Sequence, residues 1–104
     1  LILNMTHMIT VKTQEDFEDL VKDNNFEISS AITKSILKNL KGKRKNIPIL
    51  SIKVLEEQTI YDITVQRGDM LESLEKNLEI HATNEDYESC SEILSAINYL
   101  KSKK

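Results

Sequence analysis

The chain has no tryptophan, one cysteine, one proline and two glycines among its 104 residues. Each scarcity excludes something. The lone thiol, Cys90, rules out an internal disulfide and cannot build a structural zinc site by itself. It makes a reducing compartment, the cytoplasm, the default setting. Gly42 and Gly68 stand alone, so there is no glycine-rich phosphate loop. No stretch approaches the ~20 apolar residues of a membrane span. The opening Leu1-Ile2-Leu3-Asn4-Met5-Thr6-His7 lacks the basic region and apolar length of a signal peptide. Residues 1–7 therefore read as leader or disordered chain outside the fold, with Met5 or Met8 as candidate start. The two histidines, His7 and His81, have no second ligand at metal-motif spacing. No metal, no cofactor and no small-molecule substrate is indicated.

What is present describes an ordinary globular chain: 39% apolar and 30% charged residues. The length suits a single domain with one core, spanning 8–104. The formal net charge of −3 argues against coating nucleic acid by bulk charge but leaves room for a local basic patch. Richness in Lys, Ile, Asn and Glu fits an AT-rich bacterial or phage genome.

Periodicity gives the order strand–helix–helix–strand–strand–helix–helix. Met8–Lys12 is short and β-prone. Thr13, with Asp16 three residues on, is placed to cap a helix carrying Phe17, Leu20 and Val21. Ile28, Ile32, Ile36 and Leu40 recur every four residues in a second helix over 27–41, with Gly42 placed for a left-handed C-cap. Pro48 opens the strongest strand, in which Leu50, Ile52 and Val54 share a face. After a polar turn at 56–58, Tyr61, Ile63 and Val65 alternate with Asp62, Thr64 and Gln66, which makes 48–66 a β-hairpin. Asp69 with Glu72 reads as a capping box for a helix seamed by Leu71, Leu74 and Leu78. Tyr87, Cys90, Ile93, Leu94, Ile97 and Leu100 stripe the last helix. The expected fold is α+β: a small, mainly antiparallel sheet around the 48–66 hairpin, followed by a C-terminal αα-hairpin.

Within that helical hairpin, Leu74-Glu75, Leu78, Ala82, Glu85-Asp86-Tyr87-Glu88, Cys90-Ser91, Ile93, Ile97 and Leu100 form a pattern. Residues 71–101 resemble the UVR helical-hairpin motif of bacterial nucleotide-excision-repair subunits and protease adaptors. Tyr87-Glu88 matches the family's aromatic–Glu pair, and Cys90-Ser91 fits its two small residues by size. Leu94 and Ser95 depart from its Arg-Asp. The resemblance implies a protein–protein docking hairpin and no repair chemistry.

Catalysis finds no apparatus: the carboxylates occupy solvated helix faces and helix starts, and Cys90 reads as a packed small residue. The chain is not expected to be an enzyme. Two binding features remain. Lys41, Lys43, Arg44 and Lys45 place four cations in five residues, either as phosphate contacts or as cations set against a helix dipole. Ile80 and Tyr99 point away from the main seams of their helices and, with Tyr87 and Leu100, are the candidate interface residues. The first functional expectation is an accessory protein that self-associates through its C-terminal hairpin. The second is a small homo-oligomeric protein binding RNA or DNA through the 41–45 loop.

Overall fold

The apolar stretch from Ile47 to Val54 forms the central strand of a three-stranded sheet. The computed structural model describes residues 7–22 and 25–103; of the expected leader over 1–7, Leu1–Thr6 lie outside the described residues and His7 begins the first strand, opposite Leu50. The chain runs β1 (His7–Val11), α1 (Gln14–Lys22), α2 (Phe26–Lys38), β2 (Asn46–Val54), β3 (Thr59–Gln66), a 3-10 turn at Arg67–Asp69, α3 (Met70–Thr83) and α4 (Tyr87–Ser102). The sheet order is β1-β2-β3.

β2 and β3 form the expected antiparallel hairpin, with Leu50 opposite Ile63 and Ile52 opposite Tyr61. Its turn contains no glycine; Gln58 takes the left-handed conformation instead, at φ 53°. The expectation of a mainly antiparallel sheet needs correction. β1 lies parallel to β2, with Ile9 opposite Ile52 and Val11 opposite Val54, so the sheet is mixed. The reason is the connection: two helices intervene between β1 and β2, and a helical crossover returns the chain to run in the same direction.

One face of the sheet carries the core. Leu50 and Ile52 of β2 pack with Ile36 of α2, Leu74 of α3 and Ile93 and Ile97 of α4, flanked by Ile9, Val11, Ile63 and Val65. A bulge between Pro48 and Leu50 inserts Ile49. It lets Ile47 and Leu50, three residues apart, both turn inward. The opposite face, with Met8, Thr10, Lys53, Ile60, Asp62 and Thr64, is exposed.

Caps follow the sequence only in part. Thr13 Oγ1 accepts from the Asp16 N–H at 3.1 Å, and Asn25 caps α2 through the Ile28 N–H at 3.1 Å. α2 ends at Lys38, with Asn39 as its C-cap. Gly42 has no positive φ, so it is not the expected left-handed cap. Asp69 makes no side-chain cap, because the 3-10 turn leads straight into α3. At the α3–α4 joint, Glu85 adopts φ 58° and Asp86 caps α4.

Candidate functional site

α2 runs out into an exposed loop, and every residue from Lys41 to Asn46 is solvent-exposed. The loop is fastened from the side by Arg67. Its Nε donates to the Arg44 carbonyl at 2.6 Å and its Nη2 to the Asn39 carbonyl at 3.0 Å, with a longer 3.5 Å contact from Nη1 to the Leu40 carbonyl. The Arg67 N–H closes the other end on the Lys45 carbonyl at 2.7 Å. A guanidinium fork suits this task because its donors diverge in one plane. The carbonyls of Ser35, Ile36 and Leu37 in the last turn of α2 accept from the backbone N–H groups of Asn39 and Leu40, and those just past the helix accept from Arg67, so the loop lysines are not needed as hydrogen-bond caps. Among the described residues, no carboxylate lies within ion-pair distance of Lys41, Lys43, Arg44 or Lys45.

The same corner receives the end of α4. Tyr99, half-buried, has Lys41 Nζ 5.5 Å and Lys103 Nζ 5.3 Å from its ring centroid. The structure therefore brings Lys41, the first cation of the 41–45 run, and Lys103 to one aromatic ring. Lys101 turns aside to Glu75 at 3.7 Å.

No family model, curated protein or solved structure matches this chain. The site must be read from its own geometry.

The four interface candidates fall in different places. Tyr87 is 66% exposed. Leu100 packs against the core. Ile80, near the α3–α4 joint, lines a groove with Leu20, Val21, Ile28 and Ile32, while Tyr99 sits at the far end of α4. Cys90 Sγ lies 3.8 Å from the Leu78 carbonyl, and Tyr99 is nine residues further along, about 14 Å at the helical rise. Ile80 and Tyr99 do not form one patch. Another surface does. Leu94, expected in the seam, is 48% exposed, because Ala96 with Cys90, Ile93 and Ile97 makes the buried side of α4. The outward face of α4 carries Tyr87, Ser91, Leu94, Ser95 and Asn98, all exposed and none charged.

Between α2 and α3 lies a buried polar ladder. Ser29 Oγ donates to Asn77 Oδ1 at 2.6 Å, and Thr33 Oγ1 stands 3.3 Å from His81 Nε2. His81 Nδ1 lies 3.0 Å from Asp86 Oδ2, and the Phe26 ring meets the imidazole edge-on at 5.0 Å. With Asp86 ionised, Nδ1–H donates to it and Nε2 accepts from Thr33. Hydrogen bonding from Ser89, foremost its side chain, and then from His81 holds the Asp86 carboxyl below the usual carboxylate range. The carboxylate–imidazole–hydroxyl series has the order of a nucleophile relay, but His81 is 1% and Thr33 3% exposed, so it braces helices. Cys90 is a free, buried thiol and is not a partner of the imidazole. Among the described residues, no three His, Cys, Asp or Glu side chains are grouped to hold a metal, and no helix is long and apolar enough to cross a membrane.

Arg67 and the ladder were not singled out as functional or bracing groups by the sequence, and Tyr99 was singled out as an interface residue, not as a neighbour of the basic loop. Arg67 and Tyr99 are far from the loop in sequence and leave no local signal. The ladder does leave one: polar residues paired at i, i+4 within both helices, at Ser29/Thr33 and Asn77/His81.

Proposed function

We propose that this protein is an accessory interaction protein that assembles with a second copy of itself through the outward face of α4. The observation that carries this reading is the uncharged stripe of Tyr87, Ser91, Leu94, Ser95 and Asn98 between the acidic start and the basic end of α4. A stripe centred on an exposed leucine gains by leaving water, at roughly 1.5–3 kcal/mol for a large apolar side chain. The charge pattern selects the occupant. Glu85, Asp86, Glu88 and Glu92 stand at the start of α4, and Lys101 and Lys103 at its end. A second α4 laid antiparallel across a two-fold axis near Leu94–Ser95 sets the acidic half of each against the basic end of the other. A parallel pair would set like against like. The likeness of residues 71–101 to a docking hairpin agrees with this. The setting is a reducing compartment such as the cytoplasm, and the role is not enzymatic.

One helix pair is a small contact, so the dimer is weak and concentration-dependent. Light scattering from tens to hundreds of micromolar protein should show the mass rising toward twice the monomer. Leu94→Glu with Tyr87→Glu should hold it at the monomer with an unchanged melting temperature. Leu94→Cys should cross-link readily across the axis and Ser102→Cys should not. A wild-type mass fixed at the monomer throughout would sink the proposal.

A further inference from the structure

The geometry points to a second surface, sharing only Lys103 with the α4 dimer contact: the Tyr99-centred corner is a binding site for single-stranded nucleic acid. The ring of Tyr99 supplies the stacking platform, and Lys41, Lys43, Arg44, Lys45 and Lys103 supply the phosphate contacts. Read from the sequence alone, the basic run lacks a neighbouring aromatic for base stacking, and its cations are as well explained by the dipole of α2. The structure changes both terms. The carbonyls of Ser35, Ile36 and Leu37 at the end of α2 accept from the N–H groups of Asn39 and Leu40, and those of Asn39 and Arg44 accept from Arg67, so hydrogen-bond capping does not call on the lysines. Tyr99 is brought beside Lys41 and Lys103 by the fold.

Charge supports the same reading. The acidic start of α4 lies at the joint end of the hairpin, and Tyr99 lies at the other end, so the net charge of −3 is unevenly placed. Asp69, Asp62 and Glu72 are the carboxylates nearest in sequence to Arg67; Asp62 accepts from Ser51, and among the described residues none of the three pairs with a cation of the loop. Lys41 and Lys103 flank the ring and Lys43, Arg44 and Lys45 continue from Lys41 along the exposed loop, which together offer the electrostatic track and stacking surface that single strands use.

The two lysines over the ring do not block it. A lysine over an exposed aromatic face is worth roughly a two- to fivefold preference. A stacked base is worth roughly five- to 150-fold. An incoming base therefore displaces a lysine, and the freed ammonium is left beside the phosphate of the base that displaced it. Duplex offers its backbone but hides its base faces, so the site should prefer single strands. The chemistry is shared by RNA and DNA, and both are tested.

The experiment is anisotropy of fluorescein-labelled 15-mers, dT, rU and a mixed-sequence duplex, titrated with the full chain from 25 to 200 mM salt. Single strands should bind more tightly than duplex. With five phosphate contacts, log K should fall against log salt with a slope of about −3.5, and of about −1.4 after Lys43→Gln, Arg44→Gln and Lys45→Gln together. Tyr99→Leu keeps apolar bulk but removes the π face; it should weaken single-strand binding roughly five- to 150-fold and leave the slope unchanged, while Tyr99→Phe should restore affinity. In a Tyr61→Phe, Tyr87→Phe background, emission from Tyr99 should be quenched on binding. A preference for rU over dT would add contacts to the 2′-hydroxyl; equal binding would confine recognition to base faces and phosphates; either outcome supports the site. No binding at 25 mM salt, or equal binding of duplex and single strands with no effect of Tyr99→Leu, would overturn it.

Discussion

Replacing Arg67 tests whether the basic loop is held or merely solvated. The side chain makes two good charge-assisted hydrogen bonds, to the carbonyls of Arg44 and Asn39 at 2.6 and 3.0 Å, and one marginal contact at 3.5 Å. Hydrogen bonds involving a charged group contribute roughly 1.5–3 kcal/mol each. Arg67 is only half-buried, so the lower end applies, and ordering a long side chain takes back about 1–2 kcal/mol. Arg67→Met should therefore lower unfolding free energy in urea by about 1–2 kcal/mol. It should also speed exchange of the Gly42 amide, which donates to the Asn39 carbonyl at 3.1 Å. Arg67→Lys should do nearly the same, because an ammonium cannot span carbonyls that diverge as the guanidinium donors do. If only positive charge mattered here, Arg67→Lys would match the wild type. Full stability and unchanged Gly42 protection in both variants would refute the clamp.

Two further substitutions follow from the geometry. Gly42→Ala should be neutral or stabilising by up to about 1 kcal/mol, since φ is not positive and a Cβ would meet only Arg67 Nη2 and the Asn39 carbonyl, both at 3.5 Å; a clear loss in a urea titration would restore the left-handed cap that the sequence suggested. The Asp86 carboxyl is depressed in the folded protein, so its contribution is present above the unfolded value near 3.9 and is lost as pH falls through the folded value. Asp86→Asn should lower stability at neutral pH and flatten the acid limb of the stability curve below about pH 4, and an acid limb identical to wild type would contradict that account.

The sequence carried the parts of this fold that depend on one segment at a time. The alternation of Tyr61, Ile63 and Val65 marks β3 correctly, and the Thr13 cap and the β2–β3 hairpin are where local chemistry puts them. It could not carry what depends on segments meeting. Alternation in Ile9 and Val11 gives a face but no partner or direction, so the parallel pairing with β2 was hidden. The bulge at Ile49 breaks the parity rule, so Ile47 could not be assigned to the core face by counting twos. In α4, Ile93 and Leu94 are adjacent, and only the position of the seam decides which is buried. That position was set by Ala96, a residue too small to draw notice. The candidate sites divide the same way. Lys41 to Lys45 is legible as a run of cations, while Arg67 and Tyr99 reach it only through tertiary structure.

The ladder between α2 and α3 explains why those distant residues arrive together. Ile28, Ile32 and Ile36 repeat at four-residue intervals, so the apolar face of α2 would accept a slide of one turn with isoleucine replacing isoleucine. Such a slide moves Lys41 by about 6 Å at the helical rise and takes it from Tyr99. The polar pairs break the degeneracy. Ser29 with Asn77 and Thr33 with His81 fix two points, one turn apart on each helix, and a slide leaves these groups buried and mismatched. The net gain from a made hydrogen bond is about 1 kcal/mol, but an unmade buried one costs about 1–3 kcal/mol, and it is this asymmetry that penalises the wrong packing. Replacing all four with apolar residues, Ser29→Ala, Asn77→Leu, Thr33→Val and His81→Leu, should accordingly keep helix content and much of the stability while loosening placement. The measurement is the NMR spectrum of the Tyr99 ring. The wild type should give one set of signals with contacts to Lys41 and Lys103, and the quadruple variant should give several sets or broadened ones. A single sharp Tyr99 signal with the Lys41 contact intact in that variant would show that the apolar seam alone sets the register, and that the ladder only fills space.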